Sequence, residues 1–153
     1  MDDKLVTAGV IVIGNEILSG RTQDTNLQFI AQYLVGKGIS IGEAQVVPDI
    51  ESIVVRTVND FRARFDYVLT TGGIGPTHDD ITTDCIAAAF NVRVVVNADI
   101  ENRIRSRPAP DDVLASRLRM ARVPEGATLI DNPTGGPQGF TIENVYVMAG
   151  VPL

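Results

Sequence analysis

Val6–Ile13 is an apolar, β-branched run ended by Gly14, the pattern of a strand buried on both faces. Turn-forming residues follow through Asp24. Leu27, Ile30, Ala31 and Leu34 then recur at helical spacing within Thr25–Val35, and Gly36 and Gly38 are placed to end that helix. Ile39–Val47 alternates more clearly, as a strand with one open face does, and stops at Pro48. Ile50–Phe61 sets Ile53, Val54, Val58 and Phe61 on one helical face, and Tyr67–Thr71 predicts a third strand that runs straight into Gly72-Gly73-Ile74-Gly75-Pro76. A helix over Ile81–Phe90 and a fourth strand over Val92–Val96 complete a β-α-β-α-β-α-β order. That order predicts a doubly wound α/β domain, a mainly parallel sheet with helices on both faces.

The second half is less regular. Ile100–Arg105 reads as a short helix, Pro108 and Pro110 break what precedes Asp112, and Val113–Ala121 has Val113, Leu114, Leu118 and Ala121 at helical spacing. Thr128–Ile130, Gly139–Ile142 and Val145–Met148 read as short strands, the last two joined by Glu143-Asn144. No internal repeat, low-complexity tract or linker interrupts the chain, so residues 1–153 are expected to form one domain.

The length of 153 residues suits a single core, since domains most often run to roughly 100–150 residues. Charge narrows the partners. The 13 Lys and Arg against 19 Asp and Glu leave a net charge of −6 with no basic run, which argues against nucleic acid and against an anionic membrane surface. An anionic ligand must then be held by backbone N–H groups or by a bound cation. The single cysteine, Cys85, cannot close an internal disulfide, which fits a reducing compartment. No stretch approaches the roughly 20 apolar residues of a membrane span. The opening Met1-Asp2-Asp3-Lys4 lacks the basic start of a signal peptide. The expected location is the cytoplasm.

The chemistry concentrates in Thr70–Asp84. A buried strand delivers this segment to the carboxyl edge of the sheet, where open α/β folds bind ligands. Gly72, Gly73 and Gly75 permit tight turns and leave backbone amides open to an approaching group, and the helix behind them begins with free N–H groups suited to an anion. Neither G-x-x-x-x-G-K-[ST] nor G-x-G-x-x-G is present, which removes the usual P-loop and dinucleotide fingerprints. Asp79 and Asp80 would repel a phosphate unless a cation such as Mg2+ lay between, because magnesium binds one or two carboxylates together with phosphate oxygens. Equally, Asp80 could cap the helix with Asp79 near its positive end, worth about 0.3–1 kcal/mol.

Three further segments reach the same edge. Gly14-Asn15-Glu16-Ile17-Leu18-Ser19-Gly20-Arg21 follows the first strand, and Asn15, Glu16 and Ser19 carry the donors and acceptors that ribose, pterin or phosphate recognition requires. An ordinary loop capped at Asp24 or Thr25 would read the same way. Asp49, just after Val47-Pro48, either caps the next helix or faces the Gly14 loop and Asp80. Asn132–Gly139 is a second Gly/Pro-rich segment, either a plain connection or a cradle whose Gly135 and Gly136 amides meet a second anionic group. His78, in the glycine loop, is either an acid or phosphate contact or simply a solvated side chain, and it has no second histidine or cysteine to build a zinc site with; Cys85 sits among Ile86, Ala87 and Ala88 as a packed core residue. Nucleophilic catalysis is rejected.

On these residues the chain resembles the molybdopterin-binding (molybdenum-cofactor-biosynthesis) domain family, and within it the CinA-like, competence/damage-inducible branch. The resemblance rests on Gly14–Arg21, Asp24-Thr25-Asn26, Thr71–Thr77 and Asp79-Asp80-Ile81-Thr82, and extends more weakly through Asn132–Gly139 and Gly150-Val151-Pro152. It implies a three-layer α/β fold that binds a pterin or an adenine dinucleotide across the carboxyl edge of the sheet. By position it assigns the phosphate loop to Gly72, Gly73 and Gly75, functional aspartates to Asp49 and Asp80, and an extension of the same motif to Thr82. By the same analogy Asp80 would hold magnesium or position a pyrophosphate, with Asp49 near the reacting phosphate; Asp79 is the second candidate for the metal. Three functions follow as expectations: a phosphorylated-pterin or dinucleotide binder in molybdenum cofactor biosynthesis, an ADP-ribose pyrophosphatase, or a noncatalytic nucleotide-binding module. Related domains are commonly dimers or trimers, so a homo-oligomer is expected. The chain departs from the branch at Ala149-Gly150-Val151-Pro152, where Pro-Gly-Val-Pro is usual, and at Gly135-Gly136-Pro137-Gln138-Gly139. It also stops at Leu153, where family members continue, and the resemblance therefore implies either a minimal domain or a fragment.

Overall fold

The structure is a computed structural model that describes residues 5–132 and 136–150. Its main sheet has six strands in the order β2–β1–β3–β8–β7–β6, where β1 is Val6–Ile13, β2 Ile39–Val47, β3 Tyr67–Thr71, β6 Thr128–Leu129, β7 Phe140–Ile142 and β8 Val145–Met148. β1 pairs parallel with β2 and β3, and β3 pairs parallel with β8; β7 runs antiparallel between β8 and β6. The helices are α1 Asn15–Leu18, α2 Asn26–Gly36, α3 Glu51–Arg64, α4 Thr82–Phe90, α5 Ala98–Arg105 and α6 Asp111–Leu118. The mainly parallel α/β architecture is the expected one. None of these helices is long and apolar enough to cross a membrane.

Period-2 geometry explains why β1 reads as continuously apolar. Ala8, Val10 and Val12 point to one face and pack with Ile30 and Leu34 of α2, whereas Ile11 and Ile13 point to the other and join Val54, Val58 and Phe61 of α3 and Ile86 of α4. Edge strand β2 is covered on one side only, and its residues alternate between half-buried and exposed. The β1–β2 register slips between Ala8 and Gly9, leaving Gly42 unpaired. A Cβ at Gly9 or Gly42 would lie 2.6 or 2.7 Å from the Phe65 ring, so the two glycines leave the space that this ring fills.

One expectation needs correction. The predicted fourth strand forms only over Val94–Val96 (β4) and leaves the main sheet, pairing antiparallel with β5, Arg122–Pro124. The place beside β3 is taken by β8, whose Val145 and Val147 are fully buried, whereas Val94–Val96 is half-buried to exposed. The remaining differences are at element ends. The segment after Gly14 contains the single helical turn α1, and the helix predicted over Val113–Ala121 closes as a 3-10 turn over Arg119–Ala121.

Candidate functional site

The carboxyl ends of β1, β2, β3 and β8 are tied together at one edge of the sheet. Gly14 N–H donates to Val47 O at 3.0 Å, and Gly72 N–H to Met148 O at 3.1 Å. Asp49 does not cap α3, whose start has no side-chain cap. Its Oδ2 instead accepts from Asn15 N–H at 3.1 Å while its own N–H donates to Asn15 Oδ1 at 3.1 Å. This reciprocal pair locks the β1 loop to the β2 loop. Asp24 does cap α2, accepting from the Asn26 and Leu27 N–H groups at 3.2 and 3.1 Å.

The glycine loop is built by close approach. Gly72 has φ +97, and a Cβ there would lie 2.1 Å from Ile13 O; Gly73 has φ +76, and a Cβ would lie 2.0 Å from Thr82 Oγ1. Thr82 is fully buried, its hydroxyl donating to Gly72 O at 2.9 Å and its N–H to Gly73 O at 3.0 Å. Thr82 therefore holds the loop from behind rather than facing outward. Of the amides from Gly72 to Gly75, that of Gly72 is spent on Met148, and those of Gly73, Ile74 and Gly75 have no partner among the described residues. Nothing in the sequence marks Ile74 as a site residue, because its side chain is apolar and buried.

Asp80 does not cap α4 either. Its Oδ2 accepts from Thr77 N–H at 2.9 Å and Thr77 Oγ1 at 2.7 Å, closing the loop on itself, and a Cβ at Gly75 would lie 2.9 Å from that oxygen. Asp79 is exposed, 3.4 Å from His78 Nε2. Burial pushes the Asp49 carboxyl above its ordinary value of 3.8; the Asn15 hydrogen bond opposes this, and the charges of Glu16, Asp80 and Asp79 add to it. The acids expected at one edge are thus close enough to act on one another. Ser19 lies at the exposed rim, donating to Glu16 O at 3.3 Å and accepting from Arg21 Nε at 3.4 Å. Gly136 is exposed, and Gly135 falls outside the described residues.

Because folding raises the Asp49 pKa, the native state binds that proton more tightly than the unfolded chain. The favourable contribution is complete below the ordinary carboxyl value and is lost as pH rises through the folded one. Asp49→Asn removes this liability while keeping an oxygen for the Asn15 N–H. The variant should be more stable than the wild type at neutral pH and lose that advantage below the ordinary carboxyl range, as read by urea midpoints at the two pH values.

Two clefts begin at opposite ends of the loop. One, of about 80 Å³, lies between β1, α1 and the approach to α2, and is lined by Val12, Glu16, Ile17, Thr25, Thr71 and Gly72. Asn26 Nδ2 closes its floor by donating to Gly150 O at 3.0 Å. The other is shallow and runs from Gly75 and Asp80 to Arg119, Arg122 and Gln138. The arginines and Gln138 come from the less regular second half and were not foreseen.

Residues 9–153 match the model of the family described as "Probable molybdopterin binding domain". A protein of Archaeoglobus fulgidus is 35% identical over 143 residues, 94% of this chain and 61% of that protein. A CinA-like protein of Desulfosudis oleivorans is 36% identical over 95% of this chain, but only 37% of its own length is covered. The chain spans roughly three fifths or less of these curated relatives. Among solved structures, the protein CinA of Thermoplasma acidophilum, described as of unknown function, superposes with a TM-score of 0.84 at 32% identity over 95% of this chain and 90% of that one. The molybdopterin biosynthesis enzyme MoaB of Thermus thermophilus shares the fold with a TM-score of 0.59 at 17% identity, over 96% of this chain and 82% of that one. The chain belongs to the molybdopterin-binding domain family, in its CinA-like branch.

Proposed function

We propose that the domain binds a phosphorylated pterin or an adenine dinucleotide across the glycine loop, and that this binding serves molybdenum cofactor biosynthesis. The observation that carries the reading is the arrangement of the loop. Three unpartnered amides, at Gly73, Ile74 and Gly75, stand between a roomier cleft suited to a planar ring and a shallow one lined by cations. Backbone N–H groups of this kind suit an anion in a chain that carries no basic run.

Among the described residues no three carboxylate, imidazole or thiol groups are placed to cage a metal. The oxygen donors of Asp80 and Asp79 fit a magnesium ion shared with the ligand's own phosphates. There the metal would neutralise phosphate charge beside the acids. Asp80 keeps Oδ1 free while Thr77 fixes Oδ2. Asp49 is held in place by Asn15, and its second oxygen is left to accept a proton from an attacking water.

A second reading, an ADP-ribose pyrophosphatase, follows from the resemblance to the CinA-like branch, with whose solved member this chain shares 32% identity. In that reaction water oxygen forms a bond to one phosphorus as the bridging P–O bond breaks, and AMP and ribose 5-phosphate leave. Incubation with ADP-ribose and Mg2+, following AMP, separates the readings. Metal-dependent AMP release would establish the pyrophosphatase. Binding of the dinucleotide without release would leave a binding module, and failure to bind either ADP-ribose or molybdopterin would refute both.

A further inference from the structure

Arg119 stands apart from the other arginines around the loop. Arg122 is committed to Asp84, at 2.6 Å from Oδ1, and Arg103 to Gln138 Oε1 at 2.9 Å. Gln138, 8% exposed, also donates to Ile130 O. Arg119, in the 3-10 turn after α6, has a fully buried Nε with no hydrogen-bond partner, and it forms no ion pair among the described residues even though Asp80 lines the same cleft. A guanidinium with a buried unpaired N–H is costly in the free protein, and its five fixed donors match a phosphate group better than any other side chain does.

We propose that Arg119 is the counter-charge for a phosphate of the bound ligand, closing on it from the cleft opposite the Gly73, Ile74 and Gly75 amides. This assignment rests on the phosphorylated-ligand reading above. It also resolves the charge problem of the site: the phosphate is flanked by Asp80 on one side and by an uncommitted cation on the other.

The test uses inorganic pyrophosphate as the probe, with thermal unfolding and calorimetry on the wild type, Arg119→Lys and Arg119→Met. Without pyrophosphate, Arg119→Met should melt at or above the wild-type temperature, since it removes an unpaired buried donor and keeps the stem. With pyrophosphate, the wild-type Tm should rise. Arg119→Met should lose that rise, with affinity lower by about ten- to hundredfold, the range of a charge-assisted hydrogen bond. Arg119→Lys should fall between, keeping the charge without the fork. An equal rise in Arg119→Met would overturn the assignment of Arg119 and leave the ligand site standing. A lower Tm for Arg119→Met without pyrophosphate would make Arg119 a structural residue and also overturn it. If pyrophosphate does not shift the wild type while ADP-ribose binds, the anion subsite is wrong and the ligand reading survives; if neither binds, both fall.

Discussion

Gly72→Ala should cost about 3 kcal/mol or more of folding stability, from the sum of left-handed strain and a forced backbone shift. The residue sits at φ +97, where an L side chain is strained by roughly 1–2 kcal/mol. Its Cβ would also lie 2.1 Å from Ile13 O, an atom that cannot rotate away because it belongs to the central strand. Relief would have to move β3 off β1, or break the Gly72 N–H bond to Met148 O that joins β3 to β8. Gly20→Ala is the control: φ is +79, but nothing lies within 4 Å of the added carbon. It should lose only the conformational part, about 1–2 kcal/mol. Urea denaturation of both variants checks the difference. Equal losses would mean that the Ile13 carbonyl does not confine Gly72.

Asp80→Ala should weaken Mg2+-dependent ligand binding by about a hundredfold, and any turnover by at least as much. Two effects combine. The charge that would face a shared metal is removed, and Thr77 loses the acceptor for both its N–H and its hydroxyl, 2.9 and 2.7 Å away. Asp80→Asn separates them, since its amide oxygen still serves Thr77 while the charge is gone. If charge is the cause, Asp80→Asn should bind as poorly as Asp80→Ala. If the loop alone matters, Asp80→Asn should bind like the wild type.

Much of this site is legible in the sequence because a parallel sheet gathers its carboxyl ends on one side. The strands Val6–Ile13, Ile39–Val47, Tyr67–Thr71 and Val145–Met148 form where the apolar pattern predicts them, end for end. The Ile13–Val47 register then brings Asn15 and Asp49, each two residues farther on, within hydrogen-bond distance. What the pattern could not convey was tertiary choice. Val92–Val96 is valine at every position but Arg93, yet the place beside β3 went to β8, which meets it along four residue pairs. Arg122–Pro124 gave no strand signal, being three residues long with a charge at one end and a proline at the other. Arg119 is one arginine among several in the sequence. It becomes distinctive only when α6 and the turn after it fold back and bury its Nε beside the glycine loop. The same holds for the amides. Three glycines announce the loop, but only the Gly72–Met148 bond shows which N–H groups remain open.

The most direct measurement is a calorimetric titration of ADP-ribose and of molybdopterin, each with Mg2+, into the wild type and Asp80→Ala. At least one ligand should bind the wild type saturably with one site per chain, and the variant should bind it about a hundredfold more weakly. No binding of either ligand by the wild type, or equal binding by both proteins, would contradict a phosphate site built on the glycine loop and Asp80.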